Sequence, residues 1–98
     1  MSFEEFQASV SGSTIPPGLD GALLALWHDA RADWEKAHAC AQADKNRAGS
    51  WVHAYLHRKE GDTGNAGYWY TRAGRAMPAE DVPLQTEWGA IARELLQS

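Results

Sequence analysis

The sequence predicts an all-α fold made of two antiparallel helical hairpins followed by a C-terminal capping helix. Apolar residues recur at three- and four-residue spacing in several segments, as they do along one face of an α-helix. Asp or Ser precedes most of these segments, and Gly or Pro follows several of them. A chain of 98 residues is long enough for one hydrophobic core and too short for two. We therefore expect a single domain over residues 1–98.

An N-terminal arm is predicted over residues 1–18. Ser2 and Glu5 have the spacing of a capping box, which favours a short helix at the start of the arm. The arm ends in a Pro-Pro-Gly sequence, which breaks helices.

The first hairpin is predicted over residues 19–43. Its first helix covers about 19–31 and has Asp20 as its N-cap, because apolar residues recur there at helical spacing. Asp33 then stands as the N-cap of a second helix over about 34–43. Small residues on this second helix permit a close approach of the two helices.

The second hairpin is predicted over residues 50–75, after a polar linker at 44–49. Ser50 is predicted to cap its first helix, which ends at Gly61, a residue suited to the left-handed conformation that follows a helix. Asp62 is predicted to cap the next helix.

The capping helix is predicted over residues 84–97, after a loop that contains two prolines. Its apolar stripe consists of Leu84, Trp88, Ile91 and Leu95. We expect this helix and the N-terminal arm to supply the apolar cover that two hairpins alone lack.

Small and aromatic residues recur in the second hairpin in a pattern typical of one repeat family. They are Ala54, His57, Gly61, Ala66, Trp69, Tyr70 and Ala73. In this pattern the hairpin resembles a tetratricopeptide repeat, in particular its Sel-one-type variant. A shift of 29 residues, the separation of Asp33 from Asp62, brings the caps and small residues of the first hairpin into the same register. The resemblance implies a degenerate two-hairpin scaffold that binds other proteins and has no catalytic residues of its own.

Composition argues against several functional classes. The net charge is -4, and the nine Lys and Arg residues are scattered, so nucleic acid is not an expected partner. No apolar run approaches the roughly 18 residues that a membrane span needs, and no signal-peptide pattern is present. With a single cysteine, a reducing cytoplasmic location is expected. No catalytic constellation or phosphate-binding loop stands out, so neither an enzyme nor a cofactor is predicted.

One face of the helix over 51–60 is the predicted partner-binding surface. It combines Trp51, Val52, Tyr55, Arg58 and Lys59, and the first hairpin adds Leu23 and Leu26. In tetratricopeptide repeats the corresponding face lines the groove, which implies a peptide or protein partner, or self-association. The alternative is that the capping helix or the N-terminal arm folds over this face and makes it part of the core.

A histidine pair on the same helix suggests a different function. His53 and His57 are four residues apart, with Glu60 close by, and two imidazoles at this spacing can ligate a transition metal. His28 aligns with His57 in the repeat register and is the expected third ligand. The alternative is a pair of hydrogen-bonded histidines without metal. For His38 the sequence indicates no partner.

Overall fold

The structure, a computed structural model, describes residues 1–97. This part of the chain contains six α-helices and no strand, which confirms the all-α prediction. The helices are α1 (Phe3–Ser9), α2 (Gly21–Ala30), α3 (Trp34–Ala43), α4 (Arg47–Glu60), α5 (Thr63–Ala73) and α6 (Leu84–Gln97). None of these six described helices is both long and apolar enough to cross a membrane.

Side-chain caps define several of the helix boundaries, as the sequence predicted. Asp20, Asp33 and Asp62 each accept a hydrogen bond from the backbone amide three residues further on, at the start of α2, α3 and α5. The capping box at the start of α1 is also formed. Gly61 ends α4 in the left-handed conformation with φ 89°. These predictions are confirmed.

The start of α4 differs from its prediction. The helix begins at Arg47, so the expected linker at 44–49 is partly helical and Ser50 lies inside the helix instead of capping it. Gly49 permits this early start, because a Cβ atom at that position would clash with the carbonyl oxygen of Asp44. Only glycine lets the first turn of α4 approach the end of α3 this closely.

The helices pack as two antiparallel hairpins with a cap. Helix α2 packs against α3, α4 packs against α5, and α3 joins the two pairs through contacts with α4. Helix α6 lies across α2 and α4, and α1 packs against α6. The main core lies between these elements, and its largest fully buried apolar side chains include Phe6, Leu26, Val52, Leu56 and Ile91. The likeness to tetratricopeptide repeats stays a prediction.

Candidate metal centre

The predicted partner-binding face of α4 lies mostly in the core. Val52 and Leu26 are fully buried, and Tyr55 and Leu23 nearly so. Helix α6 covers them, with Trp88 donating an indole hydrogen bond to the carbonyl of Leu26 at 3.0 Å. The arrangement found is therefore the alternative in which the capping helix folds over this face.

Three residues of the same predicted face, Trp51, Arg58 and Lys59, lie at its edges. Trp51 is half-buried beneath the guanidinium of Arg75, which lies 4.0 Å from its ring centroid. The Arg58 guanidinium pairs with the buried carboxylate of Glu87 at 2.8 Å. Lys59 pairs with the buried carboxylate of Asp29 at 2.8 Å. Each of the two cations of the predicted face thus already has an acidic partner, and the seven predicted residues do not form one open surface.

Three histidines meet on the other side of α4. His53 and His57 project from α4 towards α3, and His38 projects from α3 to meet them. The Nε2 atoms of His38 and His53 lie 2.9 Å apart. One possible ligand nitrogen from each of the three rings lies within 4.8 Å of the other two. His53 and His57 are buried and His38 is half-buried, so the cluster lies just below the surface.

Two indole rings hold the imidazoles in place. Trp34, one turn before His38 on α3, stacks on the ring of His38 with centroids 4.8 Å apart. Trp69 of α5 stacks on His53 at 4.0 Å. The indole NH of Trp34 donates to the carbonyl of Leu56 at 3.1 Å, which fixes its ring against α4. The ring planes of His38 and His53 are therefore set by packing as well as by hydrogen bonds.

A carboxylate orients His57. Its Nδ1 lies 2.9 Å from Oε1 of Glu60, and its Nε2 lies 3.4 Å from the side-chain nitrogen of Asn65. With Nδ1–H donating to Glu60 and Nε2 accepting from Asn65, the lone pair is on Nε2. Asp62 forms a second group with His57 and Glu60, but both carboxylates of that group are exposed to solvent.

Burial disfavours the charged form of two rings of the cluster, His53 and His38. It lowers the pKa of His53 to about 4, and the neighbouring His38 and His57 act in the same direction. Burial also lowers the pKa of His38, and the neighbouring His57 acts in the same direction. Neutral imidazole is the form that ligates metals, so at neutral pH these two rings are in the ligand form.

The structure corrects the predicted ligand set. His28 lies edge-on against Trp27 on α2 and does not belong to the cluster, whereas His38 does. His53, His57 and Glu60 lie together as expected. The sequence contained a signal for His38, because it follows Trp34 by four residues and therefore shares the face of α3 that packs on α4.

No protein-family model matches the chain, and no curated protein or solved structure matches it either.

Proposed function

We propose that the protein binds one divalent transition-metal ion of the zinc class through His38, His53 and His57. The observation that supports this proposal is the convergence of three imidazoles from two helices within 4.8 Å. Imidazole is a preferred ligand of Zn²⁺, Ni²⁺ and Cu²⁺. The ion would join α3 to α4 and stabilise the contact between the two hairpins.

The three rings must adjust their spacing to hold such an ion. With Zn–N distances near 2.05 Å and tetrahedral angles, two ligand nitrogens lie about 3.3 Å apart. The Nε2 atoms of His38 and His53 are 2.9 Å apart in a direct hydrogen-bond contact. Their separation must therefore increase by roughly 0.4 Å on metal binding. The ligand nitrogen of His57 lies within 4.8 Å of the other two and must approach them by up to roughly 1.5 Å.

Glu60 supplies the outer contact that metal-bound histidines usually have. A carboxylate on one ring nitrogen fixes the tautomer, orients the ring and makes the other nitrogen a stronger ligand. Glu60 contacts Nδ1 of His57, so Nε2 is the nitrogen that would face the ion, and it would exchange its long contact with the Asn65 side chain for the metal. Three protein ligands leave a fourth position for water or another donor.

The metal proposal is favoured over a docking groove because four of the seven residues expected to line that groove, Val52, Tyr55, Leu23 and Leu26, are buried in the core. A protein or peptide partner, self-association and a cytoplasmic location stay predictions.

The direct test is titration of Co²⁺ into protein purified without a histidine tag, followed by visible absorption. We expect one ion per chain in the parent and loss of the tetrahedral absorption bands in His38→Gln, His53→Gln and His57→Gln. His28→Gln is the matched control, since this histidine lies outside the cluster, and it should bind as the parent does. Absence of stoichiometric binding in the parent, or equal binding in all four variants, would overturn the proposal.

Glu60→Gln separates a role in orienting His57 from a general effect on folding. An amide accepts a weaker hydrogen bond from Nδ1–H, so metal affinity should fall roughly 10- to 100-fold while the stoichiometry stays at one. Competition with a chelator of known affinity measures this change. Glu35→Gln, an exposed carboxylate on α3, is the control and should leave the affinity unchanged. An unchanged affinity in Glu60→Gln would contradict the orienting role.

A further inference from the structure

A cavity remains at one end of the covered face of α4. Its volume is about 400 Å³, and it lies between the end of α1, the turn from α2 to α3, helix α4 and the start of α6. Val10, Leu84 and Trp88 provide apolar surface, and Gln7 and Gln85 provide amide groups. This size lies within the range of sites for small organic molecules.

The polar part of the cavity is a buried aspartate with two donors. Asp29 is 3% exposed and Tyr55 is 2% exposed. The Tyr55 hydroxyl donates to Oδ2 of Asp29 at 2.9 Å, and the Lys59 ammonium donates to Oδ1 at 2.8 Å. Burial and then the charge of Asp29 raise the pKa of Tyr55, so the phenol keeps its proton and its hydrogen bond. Asp29 is thus neutralised by Lys59 and held in place by Tyr55.

Lys59 is the group in this cavity that suits a ligand. Its side chain is 37% exposed, and an ammonium has three N–H groups, of which Asp29 takes one. An anionic acceptor can therefore bind Lys59 while the pair with Asp29 stays intact. A cationic ligand would instead face the Lys59 ammonium, and the charge of the Asp29 carboxylate is already balanced by Lys59.

The surroundings add positive charge to the same end of the cavity. The guanidinium of Arg31 donates to the carbonyls of Val10 and Gly12 and so lies beside the wall formed by the end of α1. Leu84 and Gln85 belong to the first turn of α6, where the helix dipole is positive. Among the lining residues that the structure describes, Asp29 is the one with an acidic side chain.

We propose that this cavity binds a small amphipathic carboxylate. The carboxylate of the ligand accepts hydrogen bonds from Lys59, and its apolar part lies against Trp88 and Leu84. The site lies on the side of α4 opposite the histidine cluster, and the proposal does not depend on the metal.

The test uses two probes that share an apolar ring system and differ in charge, 1-naphthylacetate and 1-naphthylmethylammonium, in isothermal titration calorimetry. We expect the anion to bind one to one and the cation to give no measurable heat. Lys59→Met keeps the apolar stem and removes the charge, so affinity for the anion should fall by roughly tenfold or more. Lys45→Met, on the link between α3 and α4, is the matched control and should bind as the parent does.

A second variant guards against an indirect effect, since Lys59→Met also removes one partner of the buried Asp29. Gln85→Trp places a large ring on an exposed lining position and should block the cavity without touching that pair. The parent should bind 1-naphthylacetate equally well with and without Co²⁺. Equal binding of both probes, undiminished binding in both variants, or no binding of the anion at millimolar concentration would overturn the proposal.

Discussion

The two sides of helix α4 are buried in different ways. On one side Val52 and Leu56 are 0% exposed and pack against aliphatic and aromatic residues of α2 and α6. On the other side His53 and His57 are 3% and 6% exposed and meet a third imidazole and indole rings. The two sides of α4 exclude water almost equally. They differ in the chemistry that is buried.

The free energy gained by burial explains the residue types on the first side of α4 more readily than those on the second. Burying an aliphatic side chain is favourable by about 1.5–3 kcal/mol, whereas a buried imidazole must first recover the hydrogen bonds that it loses to water. The apolar cluster on the second side is small and consists of Ala54, Ala66 and Tyr70, with half-buried indoles around it. An apolar residue would serve packing at least as well as His53 or His57. Packing alone therefore does not require imidazole at these positions, and the proposed metal site would.

The largest effect is expected on the aliphatic side. Leu56→Ala would open a cavity at a position that is 0% exposed, and the free energy of unfolding should fall by about 2–5 kcal/mol. Urea denaturation followed by tryptophan fluorescence measures this loss. Leu24→Ala, on a half-buried position of α2, is the control and should cost clearly less. Similar losses in the two variants would show that the core is not centred between α2, α4 and α6.

Local signals in the sequence predicted much of the fold, because caps act over three or four residues. Asp20, Asp33 and Asp62 cap their helices through amides three positions away, and Gly61 ends α4 by its own backbone conformation. The early start of α4 depends instead on a contact between Gly49 and the end of α3, which the local pattern does not show.

The candidate site was predicted only where its residues share a helix. His53, His57 and Glu60 follow from helical spacing, whereas the distance between His38 and His53 depends on how α3 packs on α4. The repeat register suggested His28 as the third ligand. A shared register, however, only places two residues at equivalent positions of two hairpins and does not bring them into contact. Tertiary packing decided both the third ligand and the covering of the predicted partner surface.

A smaller effect is expected where α4 meets α5. Ala54 and Ala66 are both 0% exposed and belong to one small cluster, so a leucine at either position must push the helices apart. Ala54→Leu and Ala66→Leu should each lower the free energy of unfolding by about 1–3 kcal/mol. Thermal melts give the ranking. Ala39→Leu, exposed on α3, should be neutral, and melts of all three variants that match the parent would contradict the hairpin packing.

The smallest effect at neutral pH is expected for His53→Phe, measured with a chelator present so that metal makes no contribution. A phenyl ring has a similar shape and can keep the stacking on Trp69, while the half-buried His38 can turn its free nitrogen to water. The free energy of unfolding should change by less than about 1.5 kcal/mol in either direction. A large loss would mean that the imidazole itself stabilises the fold.

The pH dependence of stability distinguishes this variant from the parent. Burial lowers the folded pKa of His53 to about 4, below the unfolded value near 6.5, so the unfolded chain binds more protons in between. The parent should be fully stable with respect to this group above pH 6.5 and should lose stability as the pH falls from 6.5 towards 4. The groups facing His53 include His38, His57 and, beyond them, Glu60; of these, His38 also has a lowered pKa and adds to the same slope.

Between pH 5 and 7, where most carboxylates stay ionised, urea melts of His53→Phe should give a flatter slope than those of the parent, and His28→Phe, outside the cluster, should keep the parental slope. Equal slopes in the parent and His53→Phe would show that His53 is not buried in its neutral form, and the contrast between the two sides of α4 would then fail.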